Sequence, residues 1–69
     1  MDRFRVKIRD CDLEAARNAL THADIRSAYG SDGRELIAEV RARRDDEAMA
    51  RVANVLPEGC SIEGVERAS

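Results

Sequence analysis

The sequence predicts an α+β domain, a ferredoxin-like β-α-β-β-α-β sandwich with a four-stranded antiparallel sheet and two helices on one face. Three observations carry this reading. Apolar spacing switches from period 2 to helical and back, twice, within 69 residues. The segment Gly30-Ser31-Asp32-Gly33 is a strong turn signal between two strand-like runs, which makes the middle of the chain a hairpin. The chain is also too short to divide into two cores, so residues 1–69 form a single domain.

The first strand runs from about Arg3 to Arg9. Phe4, Val6 and Ile8 alternate with Arg3, Arg5, Lys7 and Arg9, the mark of a half-buried strand. Asp10-Cys11-Asp12 turns the chain into a helix, with Asp12 as N-cap and Glu14 in the first turn, where the helix dipole favours an acid. Leu13, Ala16, Leu20 and Ala23 share one face of that helix. The second strand starts near Asp24 or Ile25 and ends at Tyr29. The third, about Glu35 to Ala42, points Leu36, Ala38 and Val40 inward. Asp45 or Asp46 caps the second helix. Met49, Val52, Ala53 and Leu56 then make an amphipathic stripe, and Pro57-Glu58-Gly59 stops it. In the last strand, Cys60 to Arg67, Ile62 and Val65 break period 2, and Gly64 between them permits a bulge. The usual sheet order for this topology, 4-1-3-2, places the first strand centrally.

Composition narrows the function classes. Thirteen Val, Leu and Ile residues, with Phe4 and Met49, must supply most of the interior. A core of this size rarely gives more than roughly 3–5 kcal/mol net, so self-association is expected, as a homodimer or as a weakly associating monomer. Charged residues make up 38% of the chain but cancel to a net −2, and only Phe4 and Tyr29 are aromatic. No nucleic acid partner is expected, because phosphate binding needs a positive field and base stacking needs aromatic platforms. An RNA-binding module of this fold is a lesser alternative for the same reason. Apolar runs are far too short for membrane insertion, and no signal peptide precedes the first strand. Two cysteines in such a chain point to a reducing, cytoplasmic setting with free thiols.

Arg3, Arg5, Lys7 and Arg9 form a basic stripe on the sheet face that the helices leave open, with Tyr29 and Ile37 adding an apolar patch. The functional reading is a ligand or partner face. The plainer alternative is a solvated face laced by cross-strand pairs, with Glu39 and Glu63 as the neighbours. Cys60 opens the fourth strand and should come near Cys11. If Ile8 faces Ile62, Cys60 faces Asp10 and Cys11 is its diagonal neighbour. Diagonals lie about 7–8 Å apart by Cα, slightly beyond disulfide reach, so two nearby free thiols are expected. A soft-metal or small-ligand sensor built on Cys11 and Cys60 is the alternative. Heavy-metal-associated domains of this fold carry Cys-x-x-Cys in that loop, whereas Glu14 follows Cys11 by three here, so no metal site and no cofactor are expected. His22, the one histidine, sits at a helix end with no nucleophile or carboxylate constellation around it, and no catalytic residues are assigned.

Ile25-Arg26-Ser27, the Asp32-Gly33 turn, Glu39-Val40-Arg41-Ala42, Arg43-Arg44-Asp45-Asp46-Glu47-Ala48 and Leu56-Pro57-Glu58-Gly59 resemble the cytosolic C-terminal domain of MgtC/SapB-family membrane proteins. The resemblance covers nearly the whole chain and implies an ACT-like fold. It implies a regulatory or protein-contact module rather than an enzyme. The family's membrane-spanning half is not in this chain, so the expectation is an excised domain or a free-standing relative. ACT domains that bind amino acids carry a glycine after the first strand. Asp10-Cys11-Asp12 stands there instead, so amino-acid binding is not implied.

Overall fold

The computed structural model describes residues 1–68 and has the element order β1 (Asp2–Arg9), α1 (Leu13–His22), β2 (Arg26–Tyr29), β3 (Leu36–Ala42), α2 (Asp45–Ala53) and β4 (Ser61–Arg67). The strands form one antiparallel sheet in the order β2-β3-β1-β4, so β1 is central as its alternation requires. Both helices pack on one face, in the ferredoxin-like arrangement. Phe4, Val6 and Ile8 of β1 meet Leu36, Ala38 and Val40 of β3 under Ala16 and Leu20 of α1 and Ala48 and Val52 of α2. All eleven buried hydrophobic residues belong to these four elements, and the edge strands β2 and β4 contribute none.

Capping explains where α1 starts and stops. Asp12 Oδ1 accepts from the N–H groups of Glu14 (3.1 Å) and Ala15 (3.2 Å). At the other end Ala23 is the C-cap and Asp24 adopts φ +60°, the left-handed turn that glycine usually supplies. Ala23 itself is exposed rather than part of the buried face. In α2 the N-cap is Arg44, not Asp45 or Asp46. Arg44 makes no side-chain cap bond; the two aspartates sit in the first turn and accept from the N–H groups of Asp46 and Glu47.

The inward stripe of α2 is also rotated by one position from the expected one. Ala48 and Val52 are buried, with Val55 and Leu56 half-buried behind them, while Met49 is 37% exposed and Ala53 is exposed. The alternative stripes Met49/Val52/Ala53/Leu56 and Ala48/Val52/Val55/Leu56 share Val52 and Leu56. A helix this short can present either, and the small Ala48 lets α2 settle closely on β3 and β4.

The break of period 2 in β4 is a bulge. Lys7 faces Gly64 but Ile8 faces Ile62, so Glu63 is the extra residue. The shift keeps both Ile62 and Val65 on the core side.

The rotated stripe has a direct test. Val52→Ala should cost about 2 kcal/mol in urea unfolding, and Met49→Ala under about 0.5 kcal/mol. The reverse ranking would restore the stripe read from the sequence.

Candidate functional site

The open face of the sheet follows from register. Opposite Arg5 stand Glu39 of β3 and Glu66 of β4, and opposite Glu39 stands Arg26 of β2. One row across the sheet therefore reads Arg26, Glu39, Arg5, Glu66, alternating in charge. The next row reads Ala28, Ile37, Lys7, Gly64 and is small or apolar apart from the lysine. Beyond Arg5 on the other side, Arg3 faces Arg41, two like charges. Arg3 relieves this by turning to Glu39, at 3.4 Å.

Arg9 anchors the far end of the stripe. Its Nε lies 2.7 Å from Glu63 Oε2 and 3.6 Å from Glu35 Oε2, and its Nη2 lies 3.9 Å from Asp32 Oδ2. The Nε–Glu63 approach is off the N–H axis, so Nε has no directed hydrogen bond and the contact is Coulombic. The bulge puts Glu63 there, and the hairpin brings Asp32 and Glu35. Gly30 has room for Glu35 because it lacks a side chain: a Cβ on it would stand 2.5 Å from Glu35 Cγ. Thus Glu39 and Glu63 are partners of the stripe as expected, through Arg3 and Arg9, while Arg5 and Lys7 make no salt bridge among the described residues.

Of the two apolar residues assigned to this face, only Ile37 belongs to it. Ile37 faces Lys7, half-buried. Tyr29 faces Leu36, a core residue, and so lies on the helix side of the sheet. There the Arg17 guanidinium of α1 sits 5.6 Å from the Tyr29 ring centre, a cation–π distance. The hairpin register decides this: Tyr29 and Leu36 stand on either side of the Gly30–Glu35 turn, closed by the bond from Gly30 N–H to the Glu35 carbonyl at 2.9 Å.

The cysteines depart furthest from expectation. Cys11 and Cys60 form a disulfide, with Cα atoms 4.8 Å apart, rather than two free thiols. The register expected for this end is observed: Ile8 faces Ile62 and Arg9 faces Ser61. The diagonal estimate fails because Cys11 has left the strand. Asp10 adopts φ +64°, which swings Cys11 off the β1 direction and toward Cys60. Both sulfurs are held in the bond, so neither is a thiolate able to take a soft metal. The free-thiol argument for a reducing compartment falls with it. Among the described residues no group of three or more His, Cys, Asp or Glu side chains could hold a metal ion. His22 is exposed at the end of α1.

A groove of about 750 Å³ opens at the opposite end of the sheet, where β2 stops short and leaves β3 uncovered. Arg3, Arg26, Arg41 and Arg51 line it together with Asp24 and Glu39. Only Arg3 among them belongs to the stripe expected from the sequence, because the four arginines come from four different elements. No helix is long and apolar enough to cross a membrane. No protein-family model, curated protein or solved structure matches this chain.

The disulfide closes a loop of 49 residues in sequence separation. Chain entropy puts the stabilisation from such a crosslink at about 4 kcal/mol. The Cys11→Ser and Cys60→Ser variants should therefore lose most of that amount, and the double variant should lose no more than either single one. Reaction of the denatured, unreduced protein with a thiol reagent should find no free thiol; two would contradict the bond.

Proposed function

We propose that this domain is a non-enzymatic, ACT-like regulatory module that works through protein contacts, with the open sheet face as the contact surface and a second copy of itself as the first partner. The observation that carries this reading is the charge row Arg26, Glu39, Arg5, Glu66. A two-fold axis parallel to the strands, lying between two facing sheets, would bring β2 of one copy over β4 of the other and β3 over β1. Arg26 then meets Glu66 of the other copy and Glu39 meets its Arg5. In the neighbouring rows Ile37 meets Lys7, and Glu35 meets Arg9. Only the row of Arg3 and Arg41 opposes like charges. Such an isologous, self-complementary surface suits a symmetric dimer, and the small core gives association something to add.

The resemblance to MgtC/SapB-type cytosolic domains supports a regulatory role and a cytoplasmic setting. The left-handed Asp10 also supports an ACT-like reading of the turn after β1, since it adopts there a backbone shape that glycine favours. In a cytoplasmic setting the Cys11–Cys60 bond would meet cellular thiols, and the module would then respond to redox state.

Arg26 and Glu66 lie on opposite edges of one sheet, so they cannot meet within a single copy. Light scattering over a hundredfold concentration range should show the mass rising toward that of a dimer. Arg26→Glu and Glu66→Arg should each weaken association at least tenfold, and the double variant should restore it. A constant monomer mass up to millimolar concentration removes self-association, and failure of the double variant to restore it removes this geometry.

A further inference from the structure

We propose that the groove at the open end of β3 is a binding site for a small organic anion, one carrying a phosphate or carboxylate group beside an apolar portion. Ala68 N–H donates to the Arg3 carbonyl at 2.8 Å, so Arg3 turns its peptide groups toward β4. Residues facing each other across antiparallel strands turn their peptide groups the same way, either toward one another or both apart. Arg41 faces Arg3, and its N–H and carbonyl therefore point away from β1, to the side where β2 would lie.

β2 is not there. Pairing of β2 with β3 ends at Arg26 and Glu39, and continuing it would set Asp24 opposite Arg41. Asp24 instead takes φ +60° and gives its N–H to the Thr21 carbonyl at 3.0 Å, within the last turn of α1. The Arg41 carbonyl is satisfied by Arg51 Nη1 at 2.8 Å, which crosses from α2 to take the place of the missing strand. The Arg41 N–H has no protein acceptor among the described residues. A strand position is thus vacant, with its acceptor answered by an arginine and its donor left open.

The side chains around this donor give the ligand its sign. Arg3 is matched by Glu39 and Arg51 by Glu47, at 3.4 and 3.2 Å. Arg26 and Arg41 have no carboxylate partner among the described residues, and both border the groove beside the open N–H. Two unpaired guanidiniums and a peptide donor are the elements that hold phosphate or carboxylate. Asp24 is the one opposing charge without a basic partner. On the helix side the wall is Ile25, Val40 and Val55, which suits an apolar portion of the ligand. The volume lies within the range of small-molecule sites. This site shares Arg3, Arg26, Glu39 and Arg41 with the dimer surface but does not depend on that surface being used.

The test is a titration of the backbone amide NMR spectrum at a concentration where light scattering finds monomer. The probes are inorganic phosphate, phenyl phosphate and phenylacetate. Phenyl phosphate should give saturable shifts, largest at the Arg41 amide, and should bind at least threefold more tightly than inorganic phosphate. Phenylacetate distinguishes a carboxylate site from a phosphate site: binding comparable to phenyl phosphate assigns both groups, and much weaker binding assigns phosphate. Arg26→Gln and Arg41→Gln should each weaken phenyl phosphate at least fivefold. Asp24→Asn keeps a residue that tolerates the left-handed turn and should tighten it. Arg44→Gln, at the N-cap of α2 and outside the groove lining, should change nothing. Shifts that rise linearly without saturation, saturable binding that ignores Arg26 and Arg41, or shifts centred on Arg43 and Arg44 would each overturn the site. All four substitutions are at exposed positions, and an unchanged amide dispersion shows that the fold is kept.

Discussion

Everything in this domain hangs on the alternation of β1. A central strand flanked on both sides has no free edge, so its side chains can only go up or down. Phe4, Val6 and Ile8 go under the helices and are at most 3% exposed, and Arg3, Arg5, Lys7 and Arg9 are thereby forced onto the other face. A slip of one residue would exchange the two sets and place four cations in the core, at a cost no small domain could meet. The same pleat that makes the core therefore makes the charged surface, and β3 and β4 must answer it residue for residue. Glu39 and Glu66 opposite Arg5 are that answer.

The two ends of the sheet are built differently. One end is tied down by several independent means: the Cys11–Cys60 bond, the bulge that delivers Glu63 to Arg9, and the hairpin that brings Asp32 and Glu35 to the same guanidinium. The ion pairs there are partly solvated and each contributes little by itself. Their value is in fixing register where three loops converge. At the other end, β2 begins late because α1 finishes in a left-handed residue, and β3 is left with an open edge that Arg51 covers in part. A bare strand edge invites pairing with another chain. Four arginines surround this one, with Asp24 and Glu39 among them.

Legibility of the fold was high because it depends on local periodicity. The element order, the sheet order, the Asp12 cap and the irregularity near Gly64 could all be read from spacing and residue type, since each is set by neighbours a few positions away. The partners Glu39 and Glu63 for the stripe were legible too, through the pairing rule for antiparallel strands. Legibility ended where a helix of two or three turns could rotate by one residue. Met49 and Ala48 are adjacent, and only contact with β3 and β4 chooses Ala48.

What the sequence determined by itself, then, is the pattern of faces: which residues of each strand share a side, and which loops must turn. The tertiary structure alone decided what meets at the loops. Tyr29 went to the helix side because the register of β2 on β3 is set across the whole hairpin. Cys11 reached Cys60 because one residue, Asp10, took a left-handed conformation, and Arg41 kept an open N–H because another, Asp24, did the same. Aspartate tolerates that conformation better than most residues but, unlike glycine, does not adopt it freely. The two residues that direct the chain at both ends of the sheet therefore carry no advance sign of doing so.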